Sequence, residues 1–398
     1  MNLTTLALIV GAGLLGPVLA AVPRIRTPLV VGEILAGVLI GRSGFDWVPT
    51  DDPTLKLLSE IGFALLMLIV GTHLPIRQAA LRPALRRASG AAFLGCGLAI
   101  GGGYLLAPLC GLHRPLVLAV LLATSSAAVA LPVLQSLPRI DDAVLVATAW
   151  IAIADVATVV AIPLVIRQGS LASVVLGIVL VVVSAAGIYL VARVMHGRRF
   201  TRALREQSWR AHWALDLRLS LVALFLLAAL ATRQHTSVLI SGFAAGVVLA
   251  LLGEPRRLGE QLIGVGEGFL VPLFFVSLGA KLDLSALVRD PGNLRLAGLL
   301  VVGATAVHVG AGALLRLPLG TGLLATAQLG VPSAIATLGL ATGTLTPGQA
   351  AAVLAAALLS LLVCASGSLL LGPSAPIGDR IAVNGGRDRG RAPVPTPR

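Results

Sequence analysis

Asp155 stands almost at the centre of an apolar run, Ala143–Ile166, in the stretch Trp150-Ile-Ala-Ile-Ala154-Asp155-Val-Ala-Thr158. A run of that length fits the ~20 residues with which a helix crosses roughly 30 Å of hydrocarbon. An ionised carboxylate at that depth is costly, so intramembrane acids are functional candidates by default. A carboxylate that takes either a proton or a monovalent cation, one in competition with the other, is the minimum machinery of exchange. The bland alternative is a protonated aspartate bonded to nearby backbone.

Two polar interruptions accompany it. Thr124-Ser125-Ser126 lies midway through the apolar segment Pro115–Leu134, with Pro132 one to two turns on. Gln328-Leu-Gly330-Val-Pro332-Ser333 interrupts Leu319–Gly343. Hydroxyls, amides and prolines at membrane depth permit a local helix break, because side chains re-satisfy the freed backbone groups. His308, inside Leu296–Leu315, reads either as a core histidine or as a charge partner or hydrogen-bond donor near Asp155. Glu33 and Glu267, near the starts of their spans, are candidates for lining a funnel, whereas Glu60 reads as an interfacial residue.

The elements that must position these groups are membrane helices. The chain of 398 residues has 57% hydrophobic and 12% charged residues, about half the usual share of charge, with a mean hydropathy of +0.96. Thirteen candidate spans follow: Leu3–Val22, Pro28–Gly41, Thr54–Gly71, Ser89–Leu109, Pro115–Leu134, Ala143–Ile166, Leu171–Ala192, Leu217–Thr232, Ser237–Leu252, Leu262–Ala280, Leu296–Leu315, Leu319–Gly343 and Ala350–Gly372. The net charge of +13 does not point to nucleic acid. With the N-terminus outside, 22 of the 30 basic residues fall on predicted cytoplasmic segments and in the tail, as the positive-inside rule requires. Met1–Thr5 has no basic residue ahead of the first apolar run, so no cleaved leader is expected.

The arginine-rich stretch Arg193–Arg218, with Trp209 and Trp213, reads as a helix lying at the cytoplasmic membrane surface. It divides the chain into six spans on either side, with the seventh as linker. Two equal halves joined this way take opposite orientations, the condition for an inverted repeat, and the two interruptions fall in the fifth span of each half. Residues 373–398, rich in Gly, Pro and Arg, are expected to be disordered.

Two other patterns carry little. Cys96, Cys110 and Cys364 show no metal or disulfide spacing. Gly11-Ala-Gly13-Leu-Leu-Gly16, with Glu33 beyond it, matches a dinucleotide fingerprint. Its flanks read as one membrane helix, and glycines so spaced allow close helix packing, as do Gly97/Gly101 and Gly242/Gly246. No cofactor is expected.

Several segments in this order resemble the monovalent cation:proton antiporter-2 family, the sodium/proton and potassium efflux antiporters. They are Val31-Gly-Glu-Ile-Leu-Ala-Gly-Val-Leu-Ile-Gly41, Leu58–Gly71, Ala123-Thr-Ser-Ser126, Ala154-Asp-Val156 through Pro163, and Pro272-Leu-Phe-Phe-Val-Ser-Leu-Gly279. The resemblance covers Leu3 to Gly372. It implies an all-α polytopic fold of about 13 transmembrane helices, with inverted six-helix repeats and two broken, crossing helices. Helices 1–3 and 8–10 would form a dimerisation part, helix 7 a linker, and helices 4–6 and 11–13 the core transport part.

By the same resemblance the protein would be a homodimer in the bacterial inner membrane, exchanging Na+ or K+ for H+. It would be a transporter and not an enzyme. Asp155, with Thr124, Ser125 and Ser126, would bind the ion. His308 falls where the family's membrane lysine is expected, and Gln328, Gly330, Pro332 and Ser333 would support the second break. Ala154 replaces the family's polar or acidic neighbour of the aspartate. The second break has no charged residue. A channel-like pathway, an organic-anion transporter of related fold, an intramembrane enzyme and a divergent antiporter with altered or lost coupling are the competing readings.

Overall fold

The structure, a computed structural model, describes residues 1–21, 29–72, 82–127, 129–130, 134, 142–166, 170–196, 204, 206–208, 210–211, 213–233, 238–253 and 256–371. Pro132, residues 197–203, 205, 209 and 212 of the arginine-rich stretch, and 373–398 lie outside the described residues.

Every regular element among the described residues is helical. In chain order these are α1 (Leu3–Gly13), α2 (Leu15–Ala20), α3 (Leu29–Ile40), α4 (Pro53–Thr72), α5 (Arg82–Cys110), α6 (Pro115–Ala123), α7 (Asp142–Val165), α8 (Leu171–His196) and α9 (Leu215–Arg233). Then come α10 (Val238–Leu252), α11 (Arg256–Val265), a π-helical turn (Gly266–Leu270), α12 (Val271–Lys281), α13 (Leu284–Arg289), α14 (Pro291–Leu314), α15 (Leu319–Ala325), α16 (Gly330–Ala341) and α17 (Pro347–Leu370). Ten helical stretches among the described residues are long and apolar enough to cross a membrane, and α3 and α10 are shorter apolar helices. The chain is an all-α polytopic membrane protein with bent and interrupted helices.

The termini of these helices follow local chemistry. Asp290 caps α14 by accepting from Gly292 N–H, and Pro291 occupies the first turn, where a missing N–H costs nothing. Thr346 and Gln349 form a reciprocal capping box at the start of α17. The first and tenth expected spans are each present as one apolar stretch, Leu3–Ala20 and Leu258–Lys281, with local detail that the sequence does not show. The first span is two helices, α1 and α2, meeting at Leu14. The tenth is α11 and α12 joined by the π turn. The short helix α13 was not foreseen.

Glycines set the closest helix contacts. A Cβ on Gly37 would lie 2.1 Å from the Val276 carbonyl oxygen, and one on Gly279 2.1 Å from that of Ile34, so α3 and α12 touch through backbone. Gly246 meets Leu68 O at 2.2 Å in the same sense, and Gly242 meets Ala64 O at 2.4 Å, so α10 lies on α4. Gly16 serves packing too, its Cβ position lying 2.7 Å from Leu29 O. Gly97 and Gly101 do not, for nothing stands within 4 Å of either. They lie on the outward side of α5, where Phe93 and Tyr104 are also exposed.

This contrast gives a paired test. Gly37→Ala forces backbone against backbone and is expected to destabilise by ~1–3 kcal/mol or more, as overpacking does. Gly97→Ala is expected to be neutral or to stabilise by up to about 1 kcal/mol through helix propensity. Thermal unfolding of the purified protein in detergent separates them, and equal losses in both would remove the packing account.

Candidate functional site

The first interruption begins where α6 stops. Residues 115–123 are uniformly apolar, and the helix ends when Thr124 turns extended, at φ −69° and ψ 144°. Helical bonding resumes at Ser126, whose carbonyl accepts from Ala130 N–H at 3.0 Å. The second interruption separates α15 from α16. Leu329 takes φ −153° and ψ −61°, and Ser333 N–H closes the first new turn on its carbonyl at 3.0 Å. Pro332 falls in that first turn, where an N–H would have no intrahelical acceptor.

The interruptions bond to each other. Ser126 N–H donates to Ala327 O at 2.7 Å. Gln328 Nε2 donates to Leu121 O at 2.8 Å and to Thr124 O at 3.2 Å, satisfying carbonyls at the end of α6 that have lost their helical donors. Gln328 N–H donates to Ser360 Oγ on α17 at 3.0 Å, and the serine hydroxyl passes its own proton to Ala357 O at 2.6 Å.

Asp155 lies on α7 beside this junction and is 4% exposed. Its Oδ2 accepts from Ala127 N–H at 2.9 Å. That amide belongs to the turn that restarts after the first break, so it is one of the uncommitted, partly positive N–H groups of a helix start. Thr158, three residues on, donates to Ala154 O at 2.7 Å and stands 3.1 Å from Thr124 Oγ1. With the Thr158 proton committed to backbone, Thr124 is the donor between the two hydroxyls. Ser125 and Ser333 are fully buried, and the Oγ of each has no hydrogen-bond partner. Both hydroxyls are therefore uncommitted oxygens at the two interruptions.

A void of about 10 Å³ adjoins the carboxylate, between Ser126, Asp155 and Gly330 on one side and Met67 and Val70 of α4 on the other. That is room for a single water-sized sphere. The structure thus gathers Asp155, Thr124, Ser125, Ser126, Gln328, Gly330, Pro332 and Ser333 around one junction.

The remaining candidates lie apart from the void. His308 on α14 is buried, with Nδ1 2.8 Å from Ala304 O and its ring 5.7 Å from that of Trp150. Its second backbone partner is the carbonyl of Ala123, the last residue of α6. Asp155 is not among its partners. Glu33 is buried on α3, and Glu267 is exposed on the π turn. Thr158 and Ser360 are participants that the sequence reading did not single out. Thr158 could have been found, since i+3 from Asp155 shares its face. Ser360 is one hydroxyl in a long apolar run and gives no such signal.

Gln328→Leu would leave two buried carbonyls without donors, at ~1–3 kcal/mol for each buried group left unsatisfied. The expected result is a clear fall in melting temperature, larger than for Ser360→Ala. A Gln328→Leu protein as stable as the parent would show that the side chain does not hold the junction.

Comparison with known proteins places this geometry. The transmembrane domain model of the sodium/hydrogen exchangers matches residues 8–371. The "Putative Na(+)/H(+) antiporter YjbQ" of Bacillus subtilis (strain 168) is 27% identical over 331 residues, covering 76% of this chain and 51% of the relative. The glutathione-regulated potassium-efflux system protein KefC of Klebsiella pneumoniae (strain 342) is 31% identical over 288 residues, covering 70% and 45%. The chain therefore spans about half the length of the curated relatives it matches. The structure of the sodium proton antiporter MjNhaP1 from Methanocaldococcus jannaschii at pH 8 superposes with a TM-score of 0.64 over 93% of this chain and 99% of that one, at 16% identity, which is a likeness of fold. With a family model matched along nearly its whole length, the chain belongs to the transmembrane sodium/hydrogen exchanger family.

Proposed function

We propose that this chain is a secondary active transporter that exchanges Na+ or K+ for protons by alternating access, with both ions competing for Asp155. The observation that carries the reading is the setting of that carboxylate. It is a buried acid at membrane depth, held on one oxygen by Ala127 N–H, beside a void for one small guest and near two hydroxyls with no partner. Thr124, Ser125, Ser126 and Ser333 are the neutral oxygens available to a cation, and hard cations take oxygen ligands. The smallness of the void speaks against an open channel, and the family, one of transporters, speaks against an enzyme.

The same reading extends to architecture. Thirteen helices in inverted six-helix repeats, with the interrupted helices as counterparts, would place α5–α7 and α14–α17 in a core that moves against a scaffold of α1–α4 and α9–α12. α5 packs on α6, α7 and α14, and α17 packs on α14 and α15, which supports that division. A homodimer in the bacterial inner membrane, N-terminus outside and C-terminus in the cytoplasm, follows from the charge pattern and the family.

Asp155 is the one acid at the junction, and Ala154 adds none. One carboxylate neutralised in turn by one proton and one monovalent ion moves no net charge per cycle. Exchange in proteoliposomes is therefore expected to be insensitive to membrane voltage, and a voltage-driven current coupled to exchange would overturn the one-for-one stoichiometry.

Asp155→Asn keeps an oxygen for Ala127 N–H, so the protein is expected to fold and insert. Dissipation of a pH gradient by Na+, K+ or Li+ should fall to the level of protein-free liposomes. Full exchange by this variant would end the proposed mechanism. His308→Ala opens the contact with Ala123 at the end of α6 and is expected to displace the pH profile of exchange, whereas an unchanged profile would leave His308 a packing residue.

A further inference from the structure

We propose a second cation site in this chain, away from Asp155, formed by Glu33, Glu267 and the main-chain carbonyl of Glu267. The choice of ion rests on the exchange function proposed above, but the site itself does not.

Packing register puts the two acids together. Gly41 packs on Ala280 and Gly37 on Val276, so α3 and α12 run side by side in constant register, and one turn earlier Glu33 falls beside Pro272. The first helix agrees from the other side. The Cβ position of Gly13 is 3.5 Å from Pro272 Cβ, and that of Gly16 is 2.9 Å from Glu33 Cγ. Helical side chains lean toward the N-terminus of their own helix. That lean carries the Glu33 carboxylate back toward the π turn, and the charge that bears on it is that of Glu267.

Two observations point to a ligand. Glu33 is 4% exposed, and its Oε2 has no hydrogen-bond partner. A buried carboxylate oxygen left bare in a well-packed region is expensive without a proton or a cation on it. The second observation is the π turn. In an α-helix the Glu267 carbonyl would accept from Val271 N–H, but that N–H goes to Gly266 O. The next donor in line would be residue 272, which is proline and has none. The Glu267 carbonyl is left without a helical donor, and such freed carbonyls are what interrupted membrane helices offer to alkali cations.

The ligand is a monovalent alkali ion. Two carboxylates and one carbonyl provide oxygens only, which suits a hard cation. They fall well short of the about six to eight ligands that Ca²⁺ collects. Glu267 is exposed and Glu33 is buried, so the ion enters past Glu267 and rests on Glu33. It would offset one negative charge, that of Glu33, which lies between α1, α3 and α12, outside the junction of interrupted helices.

The test is thermal unfolding of the full-length protein in detergent. NaCl or KCl is titrated against choline chloride at constant ionic strength, with a CaCl₂ arm alongside. Asp155→Asn, which removes the first site, is expected to retain a cation-dependent rise in melting temperature. In Asp155→Asn/Glu33→Gln and in Asp155→Asn/Glu267→Gln the apparent affinity behind that rise should drop roughly tenfold or more. The exposed position of Glu267 keeps its variant informative if the Glu33 variant does not fold. The site is overturned if Asp155→Asn shows no Na+ or K+ response, if both double variants respond as it does, or if only Ca²⁺ stabilises. Failure of the exchange reading would show separately, as pH-gradient dissipation that survives Asp155→Asn.

Discussion

Hydrocarbon offers no hydrogen bonds, so a helix can break inside a membrane only where protein completes the backbone. Here the two breaks complete each other. Ser126 N–H bonds to Ala327 O, and the Gln328 amide covers the carbonyls of Leu121 and Thr124. Ser126 N–H, the first amide of the restarting turn, is taken by Ala327 O of the other break. Ala127 N–H is then available to Asp155. The placement of the carboxylate follows from bonding the broken backbones to one another, and neither break could be removed without stranding buried groups of the other.

The packing around this junction is uneven in an informative way. α3 against α12 and α10 against α4 touch through glycine backbone, with added Cβ atoms falling 2.1–2.4 Å from carbonyl oxygens at Gly37, Gly279, Gly246 and Gly242. Contacts of that kind allow almost no sliding, because interiors resist small displacements. The boundary between α4 and the interrupted helices is different. A Cβ on Gly330 would meet only the Met67 methyl, at 3.3 Å, and the void beside Asp155 lies at this same seam. Methionine adapts its shape at little cost. On the proposed division, the stiff contacts would hold the scaffold together, and the soft one lies where alternating access would need a surface to shift.

How much of this was legible in the residues differs by feature. Asp155 stood out because a mid-span charge has no cheap structural explanation. The interruptions at Thr124–Ser126 and Gln328–Ser333 were visible because polar and imino residues cluster there against apolar flanks. The break at Leu14 and the π turn were not visible. Leu14 is an ordinary helix former, and the π turn depends on how Pro272 shifts the bonding of Val271. His308 reads from sequence either as a core histidine or as a partner near Asp155, and its contacts run to Ala304 and Ala123, a distinction set by helix rotation. The glycine pairs show the same limit. Gly242/Gly246 and Gly97/Gly101 share one spacing, but only the first faces a neighbouring helix.

Ala154 and the uncharged second break fit together when charge is counted at the junction. Thr124, Ser125, Ser126, Thr158, Gln328 and Ser333 are all neutral, and Asp155 is the one acid. In a medium where an uncompensated charge is expensive, such a site is at rest only with one positive charge on it. A second acid at position 154 would call for a second positive charge, and a cation in the second break would supply one permanently. Replacing the first by alanine and the second by a neutral amide keeps the balance at a single carboxylate. Gln328 then meets a structural need, donating to the end of α6, without entering the charge count. Neutral polar groups thus hold the shape of the site, and on the proposed reading its net charge would rest on whichever ion occupies Asp155.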